Sequence, residues 1–332
     1  MSIQAAQERI IMRALPKIVL LVVPVILSVG LFAQPYPNKP IRIVIGFTPG
    51  GGIDIVARIL AAKLSESFGQ QVIVDNKPGA NGVIATEIVA KAAPDGYTIF
   101  IGTTGNLSVN PTLYPGLPFN LGRDFTPLTQ TSSVPFLLYV NPSVAVKTLG
   151  ELIAYAKASP GKVNFYSSGN GGLPHLTGEL LNMVAGIKTV HVPYKGSAPG
   201  LNDLIGGHVQ FGFDAAAIGL QHVKVGRLRA VATTGPTRLS FLPDVPAANE
   251  TLPGFEVVNW YGMVLPMGTA REVITRLHAE IVKVMNIPEI REKLIAQGTD
   301  PVGSTPEQFG AFMKAETIKW ARVVKEANIR PD

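Results

Sequence analysis

Residues 41–75 read IRIVIGFTPGGGIDIVARILAAKLSESFGQQVIVD, and the fold follows from how this stretch is parsed. Ile41–Phe47 is a near-continuous apolar run interrupted only by Arg42 and Gly46, the pattern of a strand buried on both faces. Ile53–Phe68 then carries apolar residues at 53, 56, 59, 60, 64 and 68, one face of a helix, and Gln71–Asp75 returns to strand character. The unit is βαβ, which places two parallel strands in one sheet. Its first connection is Phe47-Thr48-Pro49-Gly50-Gly51-Gly52-Ile53-Asp54. Glycines there let a ligand approach the backbone closely, and the helix that follows offers unpaired N–H groups and partial positive charge at its N-terminus. An anion is the natural guest. Asp54, in the first turn, also reads simply as a residue that complements the helix dipole.

The same grammar extends outward. A second helix over Asn81–Lys91 leads through Pro94-Asp95-Gly96 to a strand at Tyr97–Gly102. The pattern restarts with strands at Phe136–Val140, Asn164–Ser167, Thr189–Val192, Phe211–Phe213 and Leu228–Thr233, separated by helices at Thr148–Ala158, Pro174–Ala185 and Leu201–Ile205. Val257–Leu265 is a long apolar run suited to crossing between two domains, and after it only helices are expected, at Arg271–Met285, Pro288–Gln297 and Pro306–Ala327. Turn-rich loops follow most parallel strands: Asn76–Gly82, Gly102–Asn106, Tyr166–Gly172 and Tyr194–Ala198, with Asp214 after Phe211–Phe213. They lie at strand C-terminal ends, the edge at which open parallel sheets bind ligands.

Composition narrows the class. The 332 residues suffice for two domains, and 46% hydrophobic against 16% charged residues describes a folded chain. Without cysteine there is no disulfide framework, thiolate metal site, cysteine nucleophile or lipidated anchor. The net charge is +6, of which Arg9, Arg13 and Lys17 against Glu8 supply +2; the basic residues elsewhere are scattered, without the clustered patch that nucleic-acid binding needs. Arg13 and Lys17 precede Ile18–Ala33, an uncharged apolar stretch with Pro24 in its middle. That is the pattern of an export signal over residues 1–33, shorter than a bilayer span and cleaved near residues 30–33.

Catalytic motifs thin out on inspection. A dinucleotide fingerprint on Gly50 and Gly52 would place Ile55 where helix packing wants a small residue. Gly46-Phe47-Thr48-Pro49-Gly50 echoes a nucleophile elbow, but Pro49 has no N–H to donate to an oxyanion. His175, His191, His208, His222 and His278 show no zinc-protease spacing, and no phosphate-loop motif occurs. The residues point to no catalytic group, no metal and no cofactor. Lys195 reads as a solvated cation with a lesser reading as an anion contact; Tyr194, Trp260 and Tyr261 read as packing aromatics, the last two with a ligand contact as the lesser reading.

Seven segments in order along residues 36–246 carry a family resemblance: Tyr36-Pro37-x-Lys39-Pro40-Ile41-Arg42, Phe47-x-Pro49-Gly50-Gly51-Gly52-x-Asp54, Asn76-x-Pro78-Gly79-Ala80, Ala93-Pro94-Asp95-Gly96-Tyr97-Thr98, Ser167-Ser168-Gly169-Asn170-Gly171, His191-Val192-Pro193-Tyr194-Lys195-Gly196 and Leu242-Pro243-Asp244-Val245-Pro246. The chain resembles the periplasmic solute-binding proteins of tripartite tricarboxylate transporters, the Bug family. The resemblance implies a two-domain α/β flytrap, each domain a mostly parallel sheet flanked by helices, with domain 1 over 34–135 plus 257–332 and domain 2 inserted over 136–256. It implies an exported monomer that captures a small organic acid and delivers it to membrane permease subunits, without catalysis, cofactor or nucleic acid. Carried over by motif, the ligand-binding residues are Phe47, Pro49, Gly50, Gly51, Gly52 and Asp54 from the first loop, Ser167, Ser168, Gly169 and Asn170 from the second domain, and Asp214. Two departures, Ile53 before the helix Asp and Gly172-Leu173-Pro174 ahead of His175, replace residues that are often hydroxylic in the family and imply a ligand with an apolar body behind its carboxylate. A secreted α/β enzyme acting on a carboxylated substrate, or a ligand sensor, stay as alternatives.

Overall fold

The strands of this computed structural model, which describes residues 36–239 and 241–330, form one path in the order 72–76, 41–45, 98–103, 258–266, 125–140, 211–215, 164–167 and 190–193. The export signal expected over residues 1–33 lies outside the described residues. From Lys39 onward the chain is one contact unit, and no helix among the described residues is long and apolar enough to cross a membrane.

β1 (Ile41–Ile45) pairs in parallel with β2 (Val72–Asn76) and β3 (Thr98–Thr103), and α1 (Gly52–Phe68) is the crossover between the first two. β1 is buried along almost its whole length, as its unbroken apolar run requires. α2 (Val83–Ala90) connects β2 to β3, and a π-helical turn at Gly105–Val109 runs into the short α3 (Asn110–Leu113). After α4 (Leu121–Asp124) comes β4, which spans Phe125–Val140. In the other part of the sheet, α5 (Leu149–Ala158) leads to β5 (Asn164–Ser167), α6 (Leu173–Ala185) to β6 (Val190–Pro193), α7 (Ser197–Gly206) to β7 (Phe211–Ala215), and α8 (Ala216–Lys224) to β8 (Arg229–Thr233). β5 is parallel to both β6 and β7. After α9 (Ala248–Thr251), β9 (Val258–Pro266) returns, followed by α10 (Arg271–Met285), α11 (Pro288–Ala296) and α12 (Pro306–Glu326).

Two strands join the halves. β4 pairs antiparallel with β9 over Phe125–Pro135 and then, from Phe136 to Val140, with β7 and β8. The sequence marked only the second part as strand, because 125–135 contains Pro127, Pro135 and a run of polar residues. Its ladder absorbs the irregularity through register shifts between Pro127 and Thr129 and between Gln130 and Ser132. The buried hydroxyls find local partners: Thr129 Oγ1 donates to Ser304 O at 2.8 Å and Thr131 Oγ1 to Tyr261 O at 3.1 Å. The expectation of helices alone after β9 needs one correction, a two-residue strand β10 (Asp300–Pro301) that pairs with Ser133 and Ser132 of β4. The sheet is also parallel only within each half; every pair involving β4 or β9 is antiparallel.

α12 ties the structure across its back. It starts with a capping box, Gln308 N donating to Thr305 Oγ1 and Thr305 N to Gln308 Oε1. Further along, the buried Glu316 carboxylate accepts from Trp260 Nε1 at 3.1 Å and from Trp320 Nε1 at 2.9 Å, linking β9 to the helix, with Lys319 beside it. Trp320, Val323 and Val324 then enter the core that holds Leu176, Leu180 and Leu181 of α6. Truncating Glu316 to Ala strands two buried indole donors, so urea unfolding of Glu316→Ala is expected to show a loss of about 3 kcal/mol. A loss under about 1 kcal/mol would mean the indoles do not depend on this carboxylate.

Candidate functional site

The first loop is built around Asp54. Its carboxylate reaches back from the third residue of α1, Oδ2 accepting from Gly50 N at 2.9 Å and from Arg58 Nε at 2.9 Å, and Oδ1 from Asn76 Nδ2 at 2.9 Å. Asn76 Nδ2 also donates to Phe47 O at 3.0 Å, and Arg58 supports Asn76 from outside through Oδ1 at 3.0 Å. One carboxylate therefore clamps both sides of the 47–51 turn, which Gly50 passes through at φ +86°. Asp54 is 2% exposed. Burial pushes its carboxyl up, but Arg58, the Gly50 N–H and the Asn76 amide outweigh that and hold the pKa at about 2. Asp54 thus shapes the loop, while Thr48, Pro49, Gly50, Gly51 and Gly52 stay exposed and Phe47 is half-buried. No side chain caps the helix at Gly51. The first N–H groups of α1, which no helical carbonyl can reach, point off the end of the helix.

Beside this loop the backbone of Gly79, Ala80, Asn81 and Gly82 runs entirely at positive φ. It is held by the π-helical turn: Asn106 Nδ2 donates to Asn81 O at 2.7 Å, Asn110 Nδ2 to Asn81 O at 3.0 Å, and Asn81 Nδ2 to Asn110 Oδ1 at 3.0 Å. A Cβ on Gly82 would stand 2.4 Å from Asn106 Nδ2, so glycine is required there. The glycines of this loop were legible in the sequence. Asn110 was not, since it sits past the turn in an unremarkable Asn-Pro-Thr run.

In the other half, Ser167 closes its own loop. It is fully buried, its Oγ donating to Gly169 O at 2.9 Å and accepting from Gly169 N at 3.2 Å. His191 Nε2 lies 2.6 Å from the same Oγ, His191 stacks on His175 with centroids 3.6 Å apart, and Gly171 N donates to His175 Nδ1 at 3.1 Å. Serine and imidazole at this distance resemble a nucleophile and its base. Here the hydroxyl is sealed and engaged with its own loop, so the pair acts as a brace for residues 167–171. The sequence marked His175 as a neighbour of this loop and missed its partnership with His191. Ser168 and Gly169 are half-buried and Asn170 is exposed. Asp214 is turned inward, accepting from Ala215 N at 2.9 Å, from Tyr166 Oη at 3.4 Å and from Ser197. Burial pushes its carboxyl up, ahead of those hydrogen bonds. Lys195 is exposed, and Tyr194 donates to Asp203 Oδ2 at 2.6 Å. Of the residues expected to make the cleft apolar, Ile53 and Pro174 are buried and Leu173 is half-buried.

The second-half loop reaches α3 of the first half at Gly171, where a Cβ would lie 2.6 Å from Leu113 Cδ2. Leu113 ends α3, which the Asn81–Asn110 pair anchors to the first half. Two surface cavities lie elsewhere, on either side of α12. The larger, about 780 Å³, is walled by Leu107, Tyr114, Phe119 and Met313, and the smaller, about 410 Å³, by Leu180, Met183 and Val323. Neither includes a sequence-predicted site residue. The exposed glycine backbone and helix ends, not these apolar hollows, have the chemistry for an anion. Among the described residues, no group of three or more His, Asp or Glu is placed to hold a metal.

Because its folded pKa is depressed, the Asp54 clamp contributes stability that is complete above pH 4 and lost as pH falls toward 2. Replacing it by Asn is expected to cost about 2 kcal/mol at pH 7, the wild-type advantage disappearing between pH 4 and pH 2 in denaturant titrations. An advantage that persists unchanged at pH 2 would rule out the carboxylate as its source.

Residues 56–329 match the model of the family described as tripartite tricarboxylate transporter family receptor. The chain is 37% identical over 300 residues to protein BugT of Bordetella pertussis, covering 90% of this chain and 92% of that one. Among solved structures, an R. palustris protein with adipate superposes with a TM-score of 0.76 at 35% identity, covering 90% of this chain and all of that one. MatC from Rhodopseudomonas palustris with bound malate gives a TM-score of 0.71 at 29% identity, over 87% of this chain and all of that one. With the two sheet halves and the loops at their strand ends, these likenesses establish the two-domain α/β flytrap fold, and the chain belongs to the tripartite tricarboxylate transporter receptor family.

Proposed function

We propose that this chain is a periplasmic receptor that captures a small organic acid between two lobes and hands it to the permease subunits of a tripartite tricarboxylate-type transporter. It acts as a monomer and performs no turnover. The observation that carries the reading is the exposed Gly50-Gly51-Gly52 turn at the uncapped N-terminus of α1, pinned open by Asp54. A carboxylate there would accept from backbone N–H groups without a dedicated arginine, and the helix dipole favours its charge. Likeness to a protein solved with adipate and to another solved with malate supports the ligand class. Residues 34–135 with 257–332 form one lobe and 136–256 the other; the change of β4 partners between Pro135 and Phe136 and the start of β9 at Val258 support hinges at those positions.

The loops contribute to binding in two ways. Phe47, Pro49, Gly50, Gly51 and Gly52 line the ligand and Asp54 shapes their turn; Ser168, Gly169 and Asn170 close from the other lobe, with Ser167 and Asp214 holding that lobe's loops in shape. A ligand that binds only the folded state raises stability by RT ln(1 + [L]/Kd), about 2.7 kcal/mol at a hundredfold excess over Kd. In a thermal-shift panel of adipate, malate, citrate and benzoate, at least one acid should therefore raise Tm by several degrees while adipamide, the uncharged diamide, should not. Binding of benzoate or adipate ahead of citrate is expected from Ile53 and Gly172-Leu173-Pro174. Flat curves across all four acids would overturn the receptor reading.

A further inference from the structure

We infer that the Tyr261 hydroxyl is a ligand donor, placed by the crossing strand β9 beside the first backbone N–H groups of α1. The inference rests on the anion-binding reading above and names a side chain that gives that site selectivity. Strand alternation sets the direction. Trp260 and Gly262 face α12, Trp260 through Glu316 and Gly262 through Phe309, whose Cζ would lie 2.1 Å from a Cβ on the glycine. Tyr261 therefore turns to the opposite face, toward α1. A Cβ on Gly52 would lie 3.0 Å from Tyr261 Oη, so the phenol reaches the first residue of the helix and only a residue without a side chain leaves it unobstructed.

The side chain of Tyr261 is more than nine-tenths buried, at 8% exposed, and among the described residues no hydrogen bond reaches its Oη, which keeps an edge open to solvent. In the ladder it stands between Thr103 of β3 and Ser132 of β4, all three on one face. Thr103 Oγ1 is engaged with Asn106 Oδ1 at 3.2 Å, whereas Ser132 Oγ is sealed and also unpartnered among the described residues. The phenol thus stands, without a bond to any described residue, at the open end of an uncapped 17-residue helix. This is the arrangement expected of a donor waiting for a carboxylate oxygen. Burial pushes the phenol up to about 12, so it keeps its proton at neutral pH and can only favour an anion.

Calorimetric titration of wild type and Tyr261→Phe with adipate, malate, citrate and benzoate tests this. For whichever acid wild type binds, Tyr261→Phe is expected to bind roughly tenfold to a hundredfold more weakly. Its unliganded Tm should be unchanged, because phenylalanine keeps the packing and the hydroxyl makes no bond to a described residue. Gly52→Ala provides a second route: the site is exposed, its φ is ordinary for any residue, and the new methyl crowds Oη, so binding should weaken with the fold intact. If both variants bind as tightly as wild type, the phenol is not a donor and the receptor reading stands. If wild type takes none of the four acids, that reading fails and the inference with it.

Discussion

The Asp54 carboxylate is the constraint on which the candidate site depends. A glycine turn has the freedom to present its N–H groups and equally the freedom not to. What makes Gly50-Gly51-Gly52 a cradle is that one buried anion holds Gly50 N, Arg58 and Asn76 together, and Asn76 holds Phe47 O in turn. The loop is thereby closed on itself from the inside, with its outer edge exposed. Asp54 has no such freedom, since three internal donors fix its oxygens. The acidic residue singled out in the sequence is the one that shapes the turn around it.

The second half repeats this logic with a hydroxyl and two imidazoles. Ser167, His191 and His175 pass hydrogen bonds and ring contacts along the 167–171 loop, and Gly171 sits against Leu113 of the first half. Both loop systems hang from strands whose C-terminal ends feed helices, so donor-bearing turns gather along one edge of each half. β4 and β9 are the elements common to both. Because β9 alternates its side chains between α12 and α1, the same strand that buries Trp260 in the core offers Tyr261 to the candidate site.

Much of this was legible from residue order. The run 41–75 specified strand, turn and helix because burial on both faces, glycine and a 3.6-residue repeat leave few alternatives. The helices at 271–285 and 306–326 were equally plain from their apolar spacing. Residues 125–135 were not, because two prolines and a polar run argue against strand in isolation; only ladder partners on β9 and β10, and acceptors such as Ser304 O, make those hydroxyls welcome. The π-helical turn and Asn110 escaped notice for a similar reason, since their role is to bond to Asn81, which is far away in sequence.

By itself, then, the order of residues determined the α/β class, the glycine loops and the absence of cysteine chemistry, all properties of local spacing and composition. Tertiary structure alone decided which polar groups are spent internally and which are left over. Asp54, Ser167 and Asp214 all looked available as letters; in the folded chain they are committed to Gly50, Gly169 and Ala215, whereas Tyr261 makes no hydroxyl hydrogen bond among the described residues. Whether a hydrogen-bonding group is free depends on what lies within about 3 Å of it, and that distance is set by packing between segments that the sequence keeps far apart.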